Sequence, residues 1–352
     1  MGLASFIARR LLTFIPTLIG VLLITYLIAY VIPADPVRAW VGEKLLNPQT
    51  LEQIRVKYKF NAPWYEQFIF FIHQLLTGQL EDPIRFRNVF AELTSRFAIT
   101  VELAIVGFVF LVLIGLPLGI VAAIKKDTWV DFVVRILALI GGSLPSFVLY
   151  YFLILAFYVY FKTTYLAGIP MYSDQCAMFL QSLPESIPVL GNVVAAVGTV
   201  PMFGAVFCGE WSIVTETFKR LYLPGLALGL LNGGFIARIV RNSLLDALSA
   251  EYVLYAKARG LRKLAVWKHA LKNAMIPVVT VLGLNFGGLL SGAIIAETVF
   301  NIPGMGRYMY SAITRLNFPV IIACTFVVAL IYIIVNLLVD VFYAIIDPRI
   351  RY

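Results

Sequence analysis

The chain predicts an all-α polytopic membrane protein with about six transmembrane helices, and three observations carry that reading. Of 352 residues, 61% are hydrophobic and 13% charged, against about 25% charged in soluble domains. Several uncharged windows approach or exceed the roughly 20 residues a helix needs to cross about 30 Å of hydrocarbon. Those windows do not alternate in polarity, as the strands of a membrane barrel would.

The first span is read at Leu11 to Ile32. Arg9 and Arg10 precede it like the flank of a secretory signal, but the apolar run exceeds the roughly 7 to 15 residues of a cleaved segment, so residues 1–32 are read as a retained helix. Residues 33–96 form an outer loop region with nearly balanced charge, of the kind that translocates readily. Within it, Gln49 to Tyr58 and Trp64 to Leu76 have helical periodicity. The second is rich in aromatics (Trp64, Tyr65, Phe68, Phe70, Phe71), which suits a helix lying at the interface or one packed on a neighbouring span.

Five further spans are read at Phe97 to Ile124, Phe132 to Phe161, Leu221 to Ala237, Ile276 to Ala296 and Val320 to Ile346. An even number puts both termini on one side, together with Lys125, Lys126 and the basic stretch Arg238 to Lys272. Positive charge next to spans marks the cytoplasmic side. Counting Ile187 to Cys208 as a seventh span would move that basic stretch outside. Pro188, Gly191, Gly198, Pro201 and Gly204 also break it, so it is read as a re-entrant or interfacial outer element. The net charge of +9 resides in short loops beside spans, which argues against nucleic acid as a partner.

Between the fourth and fifth spans lies EYVLYAKARGLRKLAVWKHALKNAMIP, Glu251 to Pro277. Ser249 is placed to cap a helix, Glu251 falls in its first turn, and Gly260 suits the left-handed residue that ends it. A second helix is expected from Arg262 to about Asn273, with Ala256 keeping the corner slim and Pro277 marking the start of the next span. A solvated basic loop that stabilises the membrane boundary is one reading. The other is a docking element: Val253, Leu254, Leu264, Val266 and Trp267 have little to pack on within so short a loop, and a partner surface would receive them.

This stretch resembles the EAA loop of ATP-binding-cassette importer permeases, in the variant of the dipeptide and oligopeptide permeases: Glu251, Tyr252, Val253, Ala256, Gly260, Leu261, His269, Asn273, Ala274 and Pro277 carry the likeness. FIARRLLTFIPTLIGVLLITY, PADPVRAWVG, TVELAIVGFVFLVLIGLPLGIVAA, AETVFNIPGMGRY and NLLVDVFYAIIDPRIRY are similar, in the same order, to that family's first permease subunit. Leu254 stands where the general family has glutamate and Asn273 where the general motif has proline, departures that fit the peptide subclass. The resemblance implies a type I importer permease whose core, 97–352, carries a coupling loop at 238–275. In that loop Ala256 and Gly260 form the corner, and His269 and Asn273 brace the second helix.

It also implies partners: a second homologous permease, two ATP-binding-cassette ATPases that bind ATP and Mg, an extracytoplasmic substrate-binding protein, and membrane lipid, with no cofactor on this chain itself. The compartment implied is a prokaryotic plasma (inner) membrane with both termini cytoplasmic. Short peptides are the implied substrate, with oligosaccharides or metal complexes as the alternative within the same machinery.

The segment 168–219 is longer than the family's usual link between spans three and four. It holds Cys176 and Cys208, both placed outside, where disulfides persist, and a bridge between them is expected. Cys324 is expected to be a packed thiol within the last span.

For the translocation path, Gly283 with Gly287 and Gly288 with Gly292 permit close helix approach. They serve ordinary packing or a moving interface with the second permease, Asn285 then facing the path. Among polar groups at membrane depth, Arg135 and Asp340 are read as snorkelling or paired, and Glu102 as a residue lining the path. Glu297, Phe300 and Arg307 belong to a tight outer turn, and the resemblance makes them gate or receptor contacts.

The sequence has no GxxxxGK[ST] phosphate loop, GxSxG elbow, HExxH helix or metal-spaced Cys/His cluster. His73 and His269 fall on opposite faces, which argues against a two-histidine site. An intrinsic enzyme is therefore rejected, with ATP hydrolysis left to partner subunits. An ATP-independent secondary transporter would show internal repeats, which are not evident.

Overall fold

The computed structural model describes residues 3–31, 47–82, 87–161, 168–186, 194–290 and 293–346. The long helices are α1 (Leu3–Val31), α4 (Val89–Ile124), α9 (Trp211–Ser249), α11 (Lys263–Leu290) and α14 (Phe318–Ile346). Shorter ones are α2 (Pro48–Lys57), α3 (Trp64–Leu76), α5 (Trp129–Ser143), α6 (Ser146–Phe161), α7 (Asp174–Ser186), α8 (Pro201–Phe207), α10 (Glu251–Ala258), α12 (Ile294–Val299) and α13 (Met305–Thr314). A two-stranded antiparallel pair, β1 (Glu81–Asp82) and β2 (Arg87–Asn88), precedes α4.

Five described helices are long and apolar enough to cross a membrane, or six if α5 and α6 together make one span. The expected continuous span Phe132 to Phe161 is in fact this pair, bent by 109°. The cause is Pro145, which lacks an N–H and forces Leu144 into extended backbone, φ −73° and ψ 132°. Elsewhere the helices outrun the apolar windows. The Asn88 side chain accepts from the Phe90 and Ala91 N–H groups at 2.9 and 3.2 Å, so α4 starts ahead of Phe97 and its 36 residues reach about 54 Å. α9 likewise extends beyond Leu221 to Ala237 at both ends.

The central contact is between α4 and α9. Gly107, Gly115 and Gly119 of α4 receive Leu228, Ile236 and Val240, while Gly225, Gly229 and Gly233 of α9 receive Val106, Phe110 and Ile114. The matched increments make the two helices parallel. Close approach requires the glycines: a β-carbon at Gly119 would lie 2.6 Å from the Ala237 carbonyl oxygen. The fifth-span glycines pack within this chain too, Gly283 and Gly287 facing Val339 and Val335 of antiparallel α14. Gly288 meets no neighbour, and Gly292 lies outside the described residues.

These directions collect the α4–α5 turn, the α9–α11 connection, Arg10 and Asp340 at one end of the bundle. Arg10 Nε meets Asp340 Oδ2 at 3.1 Å, so Asp340 is paired. Residues 47–82, 87–88, 168–186, 194–210 and 293–317 gather at the other end. There α3 packs one face on α1: the Tyr26 hydroxyl donates to Gln67 Oε1 at 3.1 Å, and Phe68 and Phe71 flank the Tyr26 ring. Trp64, Tyr65, Ile69 and Leu76 on its other faces are exposed. Of the segment Ile187 to Cys208, residues 187–193 lie outside the described set. The rest is a turn of helix at 194–198 and α8, both too short to span.

Candidate functional site: the elbow and the opposite mouth

The elbow is smaller than the loop expected over 238–275. α9 continues helically to Ser249 and α11 begins at Lys263, leaving only α10 and two short joints. Ser249 is not the N-cap. It is the last residue of α9, its hydroxyl donates to the Asp246 carbonyl at 2.9 Å, and Ala250 occupies the cap position without a side-chain bond. At the other end of α10, Gly260 adopts φ +76°. Its N–H bonds the Lys257 carbonyl at 2.9 Å, and the Leu261 N–H reaches back to Ala256 at 3.2 Å. Those two bonds form a Schellman closure, which needs a left-handed residue at Gly260. A β-carbon there would meet nothing within 4 Å, so the demand is on backbone conformation and not on space.

The second helix is not a separate unit. α11 runs unbroken from Lys263 through Pro277 into the span, so motion of the elbow passes directly into a transmembrane helix. Its apolar residues divide. Val253 and Val266 are buried with Ala123, Leu244, Ala270 and Ala274 of this same chain, which corrects the expectation that nothing nearby would receive them. Leu254 is 69% and Leu264 82% exposed, and Tyr255 and Leu261 are exposed beside them. Six cationic residues, Lys257, Arg259, Arg262, Lys263, Lys268 and Lys272, surround this bare patch and form no ion pair among the described residues.

Glu251, Tyr252 and Pro277 are also exposed. His269 and Asn273 do not brace the helix: both are exposed and form no side-chain hydrogen bond among the described residues. Two turns before the elbow, Arg241 of α9 grips Asp131 of α5 through Nε at 2.6 Å and Nη2 at 2.7 Å. Asp131 is fully buried, and Arg135 stands 3.6 Å from it. In the sequence Arg241 stands only within the basic stretch Arg238 to Lys272; the signal for the pair is Asp131, an acid in the first turn of an apolar helix.

At the opposite end, the segment 293–317 folds back on α4. Glu297 is fully buried. It accepts from the Thr100 hydroxyl at 2.7 Å and the Arg307 N–H at 2.9 Å, and Thr100 in turn accepts from the Met305 N–H at 2.9 Å. Gly304 and Gly306 make room, since a β-carbon at Gly304 would strike the carboxyl of Glu297. Burial pushes the Glu297 carboxyl up to about 7. Phe300 is buried with its ring 5.6 Å from Tyr150, and Arg307 donates to the Asn301 carbonyl at 3.3 Å. In this conformation Glu297 and Phe300 are interior anchors of a folded corner and expose no gate surface.

Glu102 does not line a path either. It is 1% exposed, and its Oε1 accepts from the Met202 N–H of α8 at 2.7 Å, pinning the outer insert to α4. Asn285 is half-buried and donates to Val281 of its own helix at 2.8 Å. Cys176 and Cys208 are bridged, Cα to Cα 5.7 Å, joining α7 to the end of α8. Cys324 is a buried free thiol. No group of His, Cys, Asp and Glu among the described residues could hold a metal.

A bundle of long spans with a basic elbow feeding one of them belongs to a known class. Residues 115–352 match the family described as "Binding-protein-dependent transport system inner membrane component", and residues 3–104 match its N-terminal counterpart. The chain belongs to this family and is a multi-pass, non-catalytic permease component of an ATP-binding-cassette importer. Along 99% of both chains it is 35% identical to the dipeptide transport system permease protein DppB of Alkalihalophilus pseudofirmus, over 356 residues. It is also 35% identical to DppB of Escherichia coli strain K12, over 350 residues. The glutathione transport system permease protein GsiC of Shigella flexneri is 34% identical, again over 99% of each chain.

Proposed function

We propose that this permease moves short peptides inward across a prokaryotic plasma membrane, with the elbow end and both termini cytoplasmic. The names of its full-length relatives support the peptide substrate. The orientation rests on the six free cationic residues at the elbow, which the positive-inside rule places in the cytoplasm. In this reading a second homologous permease completes the path and a substrate-binding protein delivers the peptide to the outer end. Two ATPase subunits holding ATP and Mg drive the cycle.

One observation carries the mechanism: the elbow is half-satisfied. Val253 and Val266 fasten α10 and the start of α11 to the bundle, while Leu254, Tyr255, Leu261 and Leu264 stay bare at the tip. An apolar tip fixed to its own bundle suits insertion into a groove on a partner. When the ATPases close on ATP they carry the tip, and the unbroken α11 transmits the shift to its span. The permease then rocks against its partner between inward-open and outward-open states, and hydrolysis resets it.

The test is Gly260→Val. A β-branched residue resists the left-handed conformation by at least the 1–2 kcal/mol that L-residues generally pay, so the Schellman corner opens while the spans remain intact. Normal membrane insertion with lost peptide uptake and lost substrate-stimulated ATP hydrolysis is the expected result. Normal uptake would remove the elbow from the mechanism.

A further inference from the structure

The bend between α5 and α6 has a definite depth. A β-carbon at Gly141 would sit 3.5 and 3.6 Å from the carbonyl oxygens of Leu230 and Leu231 of α9. The apolar window of α9 runs from Leu221 to Ala237, and Leu230 stands about 14 Å from the first and about 11 Å from the second at roughly 1.5 Å per residue. Beyond the bend, the Phe157 ring meets Tyr222 at 5.7 Å and the Tyr150 ring meets Phe300 at 5.6 Å. α6 therefore leads on towards the outer end, and the pair is one span broken near the middle of the membrane.

A break at that depth strands polar groups. Pro145 has no N–H to offer the Gly141 carbonyl. The Leu144 N–H still bonds Ile140 at 3.0 Å, and the Val148 and Leu149 N–H groups turn to Pro145 at 3.0 and 3.4 Å. Among the described residues, no N–H of α6 reaches the carbonyls of Gly142, Ser143 or Leu144, and the hydroxyls of Ser143 and Ser146 form no hydrogen bond. Other polar side chains of the spans behave differently: Thr25, Asn232, Thr280, Asn285 and Thr325 each donate to a carbonyl one turn back in their own helix, at 2.8–3.2 Å. Gly142, Ser143, Leu144 and Pro145 are exposed, and a β-carbon at Gly142 would meet nothing within 4 Å.

Hydrocarbon offers those oxygens no donor, and broken backbone at membrane depth is tolerated only against protein or water. The surface is uncharged, open and rich in acceptors. A peptide supplies the complement, since its backbone brings amide N–H groups and its leading residue an ammonium. We propose that the α5–α6 break faces the aqueous translocation path, where its free carbonyls and the Ser143 and Ser146 hydroxyls accept hydrogen bonds from the N–H groups of a peptide in transit. In a peptide permease, the reading on which this assignment rests, such contacts ignore side chains and involve no charge, so peptides of varied sequence are met and released.

The assembled transporter in lipid nanodiscs, carrying Ser143→Cys, would be treated with a charged methanethiosulfonate, which modifies thiolates and therefore reports water at the thiol. Cys176 and Cys208 are bridged and Cys324 is buried, so the wild type sets the background. Ser143→Cys should react within about tenfold of the rate of Lys126→Cys on the exposed α4–α5 turn, in the ATP-bound or the nucleotide-free state, and saturating dialanine should slow it about threefold. Ile19→Cys, on the exposed apolar side of α1, should stay inert. Adding Ser146→Ala to Ser143→Cys should raise the dialanine concentration needed for protection about fivefold, the effect of one lost hydrogen bond. Gly142→Leu places a side chain in the open space at the break and should cut uptake of tetra-alanine more than uptake of dialanine.

Reaction of Ser143→Cys with an apolar maleimide alone, in both nucleotide states, would put the break against lipid or the second permease and overturn the proposal. Labelling that saturating dialanine leaves unchanged overturns it as well, as does wild-type uptake of both peptides by Gly142→Leu. Uptake of dialanine by the complete wild-type transporter is the separate control. If uptake proceeds while Ser143→Cys stays inert, only this inference fails; if the intact transporter carries no peptide, the functional reading fails with it.

Discussion

Two valines and two leucines of the elbow should respond in opposite ways to the same truncation. Val253 is 1% and Val266 4% exposed, packed on Ala123, Leu244 and Ala270. Val253→Ala removes two buried carbons, at about 0.8 kcal/mol each, and leaves a small cavity. The permease should therefore lose about 2 kcal/mol of local stability. Leu264 is 82% and Leu254 69% exposed, so Leu264→Ala should alter the isolated permease by no more than about 0.5 kcal/mol. In the transporter the order reverses. If the tip sits in an ATPase groove, truncating Leu264 removes a central apolar contact worth about 1–2 kcal/mol, or roughly 5- to 30-fold in affinity. Thermal melting of the purified permease, together with titration of the ATPase into permease nanodiscs, reads both quantities. Equal melting losses for the two variants, or unchanged ATPase affinity for Leu264→Ala, would refute the division of the elbow into a fastened and a docking face.

Three further outcomes follow from the packing. Asp131→Ala strands the guanidinium of Arg241 with little solvent, and loss of one partner of a buried pair costs about 3–5 kcal/mol, so the variant should melt markedly lower while Arg135→Ala stays near wild type. Gly229→Val places a β-carbon 2.8 Å from the Phe110 carbonyl carbon and 2.9 Å from the Leu111 nitrogen; overpacking of about 1–3 kcal/mol should destabilise the α4–α9 contact, whereas Gly288→Ala, which meets nothing, should be neutral or gain up to about 1 kcal/mol of helix propensity. Burial raises the Glu297 carboxyl from 4.5 to about 7, so in that window the folded corner holds a proton that an opened chain releases. Its stability is full at low pH and falls as pH rises through about 7. The hydrogen-exchange protection factors of 293–317, corrected for the intrinsic pH dependence of exchange, should therefore fall from pH 5 to pH 8, and Glu297→Gln should flatten that fall.

Local signals were legible in the sequence and distant partnerships were not. The aromatic helix Trp64–Leu76 and the left-handed Gly260 follow from spacing and glycine chemistry, and the structure has both. Pro145 is visible in the sequence, yet a single apolar window spans it, because hydropathy averages over the one missing N–H that breaks α5 from α6. The four-residue glycine spacing drew attention to the fifth span, while the tighter α4–α9 seam uses Gly107, Gly115 and Gly119 at uneven intervals. The resemblance makes Glu297 and Phe300 gate or receptor contacts, and a carboxylate near the outer end of a span makes Glu102 a candidate for the path. Their burial depends on Thr100, Tyr150 and Met202, which lie far away in the chain. The partners of Val253 and Val266 include Ala123 of α4 and Leu244 of α9, distant in the chain, beside Ala270 and Ala274 of the loop itself.

Coupling depends most on the elbow tip meeting the ATPase. With a single reactive cysteine at Leu264 of the intact transporter, a short bifunctional reagent should join the permease to the ATPase subunit, with a yield that changes between ATP-bound and nucleotide-free states. A cysteine there that joins only to lipid-facing or receptor-side partners, or that reacts with an impermeant thiol reagent added to the outer face of sealed cells, would contradict it.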